Sequence, residues 1–254
     1  MEASLPPWAL LALCVAGVFA GFINVVAGGG SLLTMPLMIF LGLPDAAANG
    51  TARVAILVQN ISAFARYRRA GRVDTALAMK LCVPAIVGAI GGAALAAFIG
   101  DAGFRALLSW VMLGCALLVI FNPAMGRTES EAAQPRLDPA RLWPVLLLIG
   151  FYGGLVQAGV GYLILFGFTY VLRLGLVEAN IMKVVVVAAY TPLALVVFIS
   201  QGMVEWVPGL CLAAGQAAGA WIGAAAAMER GAQLIRGILA VVVAASAAKL
   251  MGFY

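Results

Sequence analysis

The chain carries one unit twice. Gly17, Gly21, Gly28 and Gly42 recur as Gly150, Gly154, Gly161 and Gly175, each displaced by 133 positions (150 − 17 = 133). Beyond a two-residue deletion the displacement is 131. Asn49 then meets Asn180, Gly71-Arg72-Val73-Asp74 meets Gly202-Met203-Val204-Glu205, and Arg105-Ala106-Leu107-Leu108 meets Arg236-Gly237-Ile238-Leu239. The unit's best-matched points are glycines and polar side chains, the pattern expected of two halves with a site at the seam between them.

The solvent around that seam is fixed by composition. Of 254 residues, 65% are apolar and 10% charged, against about a quarter charged in soluble domains. The charges also cluster, so that the run from Leu142 to Leu172 contains none. That run exceeds the roughly 20 residues one helix needs to cross a bilayer. The expected fold class is therefore an all-α polytopic membrane protein. No separate soluble domain fits, because the longest polar stretch, Asn122 to Arg141, reads only as a linker.

Several function classes drop out. The net charge of +5 comes without a basic face interleaved with aromatics, which excludes nucleic acid and leaves topogenic loop charge. Cys14, Cys82, Cys115 and Cys211 stand alone in apolar segments and there is no histidine, so no metal site and no cofactor are expected. No nucleophile–base pair stands out and no acid pair falls inside one segment, which argues against an enzyme. Glu2 is the only charged residue before Asp45, and the first basic one is Arg53. The first apolar segment accordingly reads as a retained membrane helix, not a signal peptide.

Glycine, proline and charge divide the chain into about ten apolar segments. They fall near 8–27, 31–43, 46–65, 76–99 and 104–121, then 142–158, 161–174, 177–200, 206–228 and 231–251. The organisation is a first transmembrane repeat over 1–121, a linker over 122–141 and a second repeat over 142–254. The segment Ser31 to Leu43 reaches only about 20 Å at 1.5 Å per residue, short of a hydrocarbon core of about 30 Å. Each half is thus expected to open with a helix, a glycine break and a short broken or re-entrant helix.

Arg66, Arg68, Arg69, Arg72 and Lys80, the linker arginines Arg127, Arg136 and Arg141, then Arg173, Arg230 and Arg236 all fall on one side if the N-terminus is outside. The positive-inside rule puts that side, and the linker, in the cytoplasm and both termini outside. Five segments per half is an odd number, so the repeats are expected to be inverted.

The densest motif is Ala27-Gly28-Gly29-Gly30-Ser31-Leu32-Leu33-Thr34-Met35-Pro36. Its glycines allow a sharp turn, Ser31 suits a helix cap, and Pro36 tolerates an early helical position. A helix starting there aims free N–H groups and the positive end of its dipole into the membrane interior. Gln157-Ala158-Gly159-Val160-Gly161-Tyr162 occupies the equivalent place. Two such ends would bind an anion without a fixed charge. Gly88/Gly92 and Gly215/Gly219 instead fit helix packing through small residues. The motif is no nucleotide loop, because the Lys-Ser/Thr ending is missing.

Around the breaks lie polar residues at membrane depth: Asn24, Asn49, Thr51, Arg53, Gln59 and Asn60, then Gln157, Asn180, Lys183, Tyr190 and Thr191. A charge at that depth costs roughly 3 kcal/mol, so Lys183 and Arg53 need a partner or a purpose; the alternative is snorkelling to a nearby interface. Asp45 and Glu178 read as acids complementing helix starts. The candidate substrate-binding set is Asn24, Gly28, Gly29, Gly30, Ser31, Asn49, Arg53, Gln157, Gly159, Gly161, Tyr162, Asn180, Lys183 and Tyr190.

The run Gly17-Val18-Phe19-Ala20-Gly21-Phe22-Ile23-Asn24, the motif Ala27 to Pro36 and Asn49-Gly50-Thr51 resemble the sulfite exporter TauE/SafE family, also called sulfonate uptake permeases. Gly150-Phe151-Tyr152-Gly153-Gly154 and the Gly71/Gly202 turns extend the resemblance over nearly the whole chain. It implies a carrier in a bacterial cytoplasmic membrane for small sulfur-containing or organic anions, such as sulfite or sulfonates. The expected mechanism is alternating access; the rival readings are an anion channel or uncoupled pore, and a membrane scaffold. The expected partners are the anion and the lipid bilayer, with homo-oligomerisation left open.

Overall fold

The computed structural model describes residues 5–120 and 138–250, and every regular element among them is helical. Glycine, proline and charge set the boundaries. Helix α1 (Pro7–Ala27) opens on a proline, whose missing N–H has no intrahelical acceptor there anyway, and stops at Gly28 in the left-handed conformation (φ 88°). Helix α2 (Ser31–Phe40) follows at once and measures ten residues, about 15 Å. Helix α3 (Asp45–Arg69) begins on Asp45 and ends on Arg66, Arg68 and Arg69, an arrangement that complements its dipole at both ends. Helix α4 (Thr75–Ile120) closes the first half.

The second half repeats the order. Helix α5 (Pro139–Leu155) is capped by Asp138, whose side chain accepts from the Ala140 N–H at 3.2 Å. Helix α6 (Val160–Phe166) is seven residues long and runs into a π-helical turn, Gly167–Val171. Helix α7 (Leu176–Ser200) carries Glu178 in its first turn, and helix α8 (Trp206–Leu250) ends the described chain.

The expectation of ten segments is corrected at the ends of the halves. Segments 76–99 and 104–121 lie within one helical element, α4 (Thr75–Ile120), of which Thr75–Ile99 is long and apolar enough to cross a membrane. In α8 the expected division survives as a kink at Gly231 (φ 56°, ψ −145°). Of the linker, 122–137 lies outside the described residues.

Among the described residues, four stretches are long and apolar enough to cross a membrane: Pro7–Ala27, Thr75–Ile99, Leu176–Ser200 and Trp206–Ile235. Leu11, Phe19, Met79, Phe98, Val196, Val207 and Leu210 stand exposed on their outer faces, a surface suited to lipid and not to water. The chain is a multi-pass membrane protein.

The broad helix interfaces run between the halves: α1 with α8, α5 with α4, and α3 and α7 with each other and with the long helices. In lipid no hydrophobic force draws helices together, so close backbone approach has to do it. Gly17 and Gly21 of α1 lie against the backbone of Leu212 and Gln216, while Gly215 and Gly219 of α8 lie against the carbonyls of Cys14 and Val18. On the other side Gly150 and Gly154 of α5 meet the carbonyls of Ala85 and Ala89, and Gly88 and Gly92 of α4 meet those of Leu147 and Phe151. The repeated helical glycines Gly17, Gly21, Gly150 and Gly154 are thus packing residues, whereas Gly42, Gly71, Gly175 and Gly202 meet nothing within 4 Å. The polar helix α3 is sheltered at the centre, with Asn49, Arg53, Ile56, Asn60, Ala63 and Tyr67 forming one buried stripe.

Candidate functional site

The two breaks cross. Gly28 rests on Gly161 so closely that a Cβ on Gly28 would lie 2.6 Å from the Gly161 carbonyl carbon. The Gly159 N–H donates to Ser31 Oγ at 3.1 Å, tying the start of α6 to the start of α2. Ser31 therefore does not cap its own helix, as its position suggested; Gly30 is the residue before α2 and Ser31 reaches across to the other half. The hydroxyl end of Tyr162 lies directly over Gly29, and Gly30 packs on the Ala20 carbonyl and on Asn24 Cβ. Gly28, Gly29, Gly30, Ser31, Gly159, Gly161 and Tyr162 are thus brought to one point. The N–H groups of Gly30 and Ser31, at the very start of α2, have no intrahelical acceptor.

Ahead of that crossing, each interrupted helix ends in carbonyls that cannot find intrahelical donors. At the end of α5, Arg53 of α3 supplies them. Its Nη1 donates to Gly153 O at 3.0 Å and to Gln157 Oε1 at 3.2 Å, and its Nη2 donates to Gly154 O at 2.5 Å. One turn earlier on α3, Asn49 Nδ2 donates to Leu155 O at 3.1 Å, and Asn49 Oδ1 accepts the Gln157 N–H at 3.3 Å. The guanidinium sits over the Phe198 ring, 4.4 Å from its centroid. The Tyr190 hydroxyl lies over Gly153. Asn49, Arg53, Gln157 and Tyr190 form this first cluster, all of it buried.

At the end of α1 the second half returns the arrangement. Lys183 Nζ of α7 donates to Asn24 O at 2.9 Å, to Val25 O at 3.0 Å and to Asn180 Oδ1 at 2.7 Å. Asn180 Nδ2 in turn donates to Tyr67 Oη at 3.5 Å. Lys183 does not snorkel: it is 3% exposed, with its ammonium turned onto a helix end in the other half. The side chain of Asn24 is half-buried beside Gly30, so its backbone carbonyl, not its amide, joins this cluster.

A helix C-terminus carries roughly half a negative charge, and a buried cation there answers its dipole and donates to its last carbonyls. That is how two cations are tolerated at membrane depth, since every hydrogen-bond partner of Arg53 and Lys183 is a neutral oxygen.

Some participants escaped the sequence reading. The carbonyls of Gly153 and Gly154 and the ring of Phe198 carry no sequence signal as partners of Arg53. Tyr67 was hidden inside Arg66-Tyr67-Arg68-Arg69, which reads as a headgroup anchor; its spacing on the stripe with Asn60 and Ala63 was the available sign. Arg66 and Arg69 stack on Trp221 of α8 at 5.1 and 5.3 Å. Tyr152 Oη donates to Ala158 O at 2.6 Å, bracing the second break. Asn60 and Thr191 bond back to their own helices at Ile56 O and Val187 O, and Thr51 Oγ1 accepts the Glu205 N–H, so these three stand apart from the crossing. Among the described residues no group of His, Cys, Asp and Glu is placed to hold a metal ion.

The family model described as Sulfite exporter TauE/SafE matches residues 13–250. A probable membrane transporter protein, ORF9, of Sinorhizobium sp. is 32% identical over 240 residues, covering 94% of this chain and 91% of its own. A probable membrane transporter protein of Haemophilus influenzae is 28% identical over 94% of this chain and 92% of its own. The probable membrane transporter protein YfcA of Escherichia coli is 27% identical over 96% of this chain and 90% of its own. No solved structure matches the chain. With nearly its whole length matched, the chain belongs to the sulfite exporter TauE/SafE family.

Proposed function

We propose that the chain carries small sulfur-containing or organic anions, of the sulfite or sulfonate type, across the membrane by alternating access. The class rests on the family: the chain is a membrane transporter and not an enzyme. The sign of the cargo rests on one observation. Two buried cations, Arg53 and Lys183, flank the crossing of the two breaks, and neither is paired with a carboxylate. The helix ends they cap supply about half a negative charge each, which leaves an excess of about one positive charge. The start of α2 adds positive potential. An anion fits that excess and a cation does not.

In this reading the binding shell is Gly28 to Ser31 with Gly159 to Tyr162, and Asn24, Asn49, Gln157, Asn180 and Tyr190 support it. The halves, 1–121 and 142–254, are inverted copies joined by a cytoplasmic linker, 122–141, with both termini outside a bacterial inner membrane. The exchange of partners fits two halves built on one plan, since each half holds the interrupted helix of the other. An inverted pair can open one central site to either side in turn. Impermeant thiol labelling of single cysteines at Arg72 and Gln201 checks the orientation, the first being expected inside and the second outside.

The transport test is counterflow. In proteoliposomes preloaded with unlabelled sulfite or methanesulfonate, labelled substrate should transiently accumulate and its flux should saturate. Flux that grows linearly with concentration, without trans-stimulation, would establish a pore. Absence of any anion flux in folded protein would leave a scaffold and end the carrier reading.

A further inference from the structure

Arg53 and Lys183 look interchangeable as buried cations, but their hydrogen-bond inventories separate them. An ammonium has three donors. Lys183 gives one each to Asn24 O, Val25 O and Asn180 Oδ1, at 2.9, 3.0 and 2.7 Å, and has none left. A guanidinium has five. Arg53 grips the adjacent carbonyls of Gly153 and Gly154 end-on with Nη1 and Nη2, and its second Nη1 hydrogen serves Gln157 Oε1. One Nη2 hydrogen and the Nε–H remain. Nε is fully buried with no acceptor among the described residues.

Those two N–H groups share one edge of a planar ion. That edge matches two oxygens of a carboxylate or sulfonate, in the side-on fork that a lysine cannot form. Stacking on Phe198 fixes the plane, so the free edge has one orientation. A buried cationic donor without an acceptor is costly and asks for an explanation in the form of an occupant.

We infer that Arg53, and not Lys183, makes the direct cationic contact with the transported anion. The contact uses the Nε/Nη2 edge, and the ligand class is an oxyanion that presents two oxygens on one face. Lys183 is a positioning residue: it holds the end of α1, and so the Gly28 turn, in place for the second half to cross. The assignment rests on the anion-carrier reading. Nε is closed to solvent in this arrangement, so the anion reaches it when the end of α5 parts from the helices over it.

The experiment is calorimetric titration of the purified full chain in detergent with methanesulfonate, acetate and chloride, three monoanions of which only the first two offer paired oxygens. The readout is the ratio of chloride Kd to methanesulfonate Kd. In the wild type that ratio should be about tenfold or more. Arg53→Lys keeps the charge and removes the fork, and should bring the ratio close to one. Lys183→Gln should weaken all the anions alike, preserve the ratio and lower the melting temperature of the ligand-free protein. A ratio preserved in Arg53→Lys, or collapsed in Lys183→Gln, overturns the assignment. If Arg53→Lys does not fold, the wild type decides alone: chloride bound as tightly as methanesulfonate also overturns it. A wild type that binds none of the anions sinks the carrier reading itself, and does so before any variant is compared.

Discussion

A methyl group at Gly29 would enter the space of the Tyr162 hydroxyl and ring, a side chain that can swing aside; at Gly28 or Gly161 it would enter backbone, which cannot. The three positions should therefore answer differently to alanine. Gly29→Ala is expected to cost about 1–3 kcal/mol as an overpacked contact. Tyr162→Leu should relieve it, so that the double variant is less damaged than the sum of the singles. Melting curves of the four proteins in detergent give the coupling, and strictly additive shifts would show that Tyr162 and Gly29 do not touch. The sequence marked this place well, because three consecutive glycines ahead of a short helix have no use in an ordinary span. It could not show which glycine opposes which, since that depends on a crossing between residues 133 positions apart. It also gave no hint that Arg53 and Lys183 terminate helices, because their acceptors are backbone carbonyls, and every residue has one. Thr34, Gln59 and Gln216 are buried with polar side-chain atoms left unpartnered, and nothing in the structure explains them.

Elements begin and end where glycine, proline and charge said they would, within a few residues, because those residues act locally. Gly28 stops α1, Asp45 starts α3 and Pro139 starts α5 whatever packs around them. The long helices behaved otherwise. The sequence divides 206–251 near Gly231, and α8 kinks there in a conformation that side chains with a Cβ scarcely reach, while 76–121 lies within one helical element. Whether a permissive glycine bends depends on its neighbours in space, and no local pattern carries that. Gly231→Ala tests the kink. It should destabilise the protein by about 1–3 kcal/mol if the backbone stays bent, seen as a fall of several degrees in melting temperature. An unchanged melting temperature would show that α8 can straighten without loss.

At the scale of the whole molecule, apolar composition was enough to foresee an all-helical membrane protein. The pairing of α1 with α8 and of α5 with α4 was not foreseeable, since all four carry glycines spaced four apart and any two could seat each other. Because the broad interfaces run between halves, a chain cut within 122–137 and co-expressed as two fragments should reassemble and be recovered together by one affinity tag. Either fragment alone should be degraded; a stable, monodisperse single fragment would contradict the interlocked arrangement. The crossed caps also govern how the molecule is made. Arg53 enters the membrane a hundred residues before the carbonyls of Gly153 and Gly154 exist, and α1 waits with an open end until Lys183 is translated. The first half has to remain unsettled, at the insertion machinery or among lipid headgroups, for most of synthesis. Any change that slows translation between residues 70 and 183 prolongs the interval in which a bare charge and a bare helix end invite quality control.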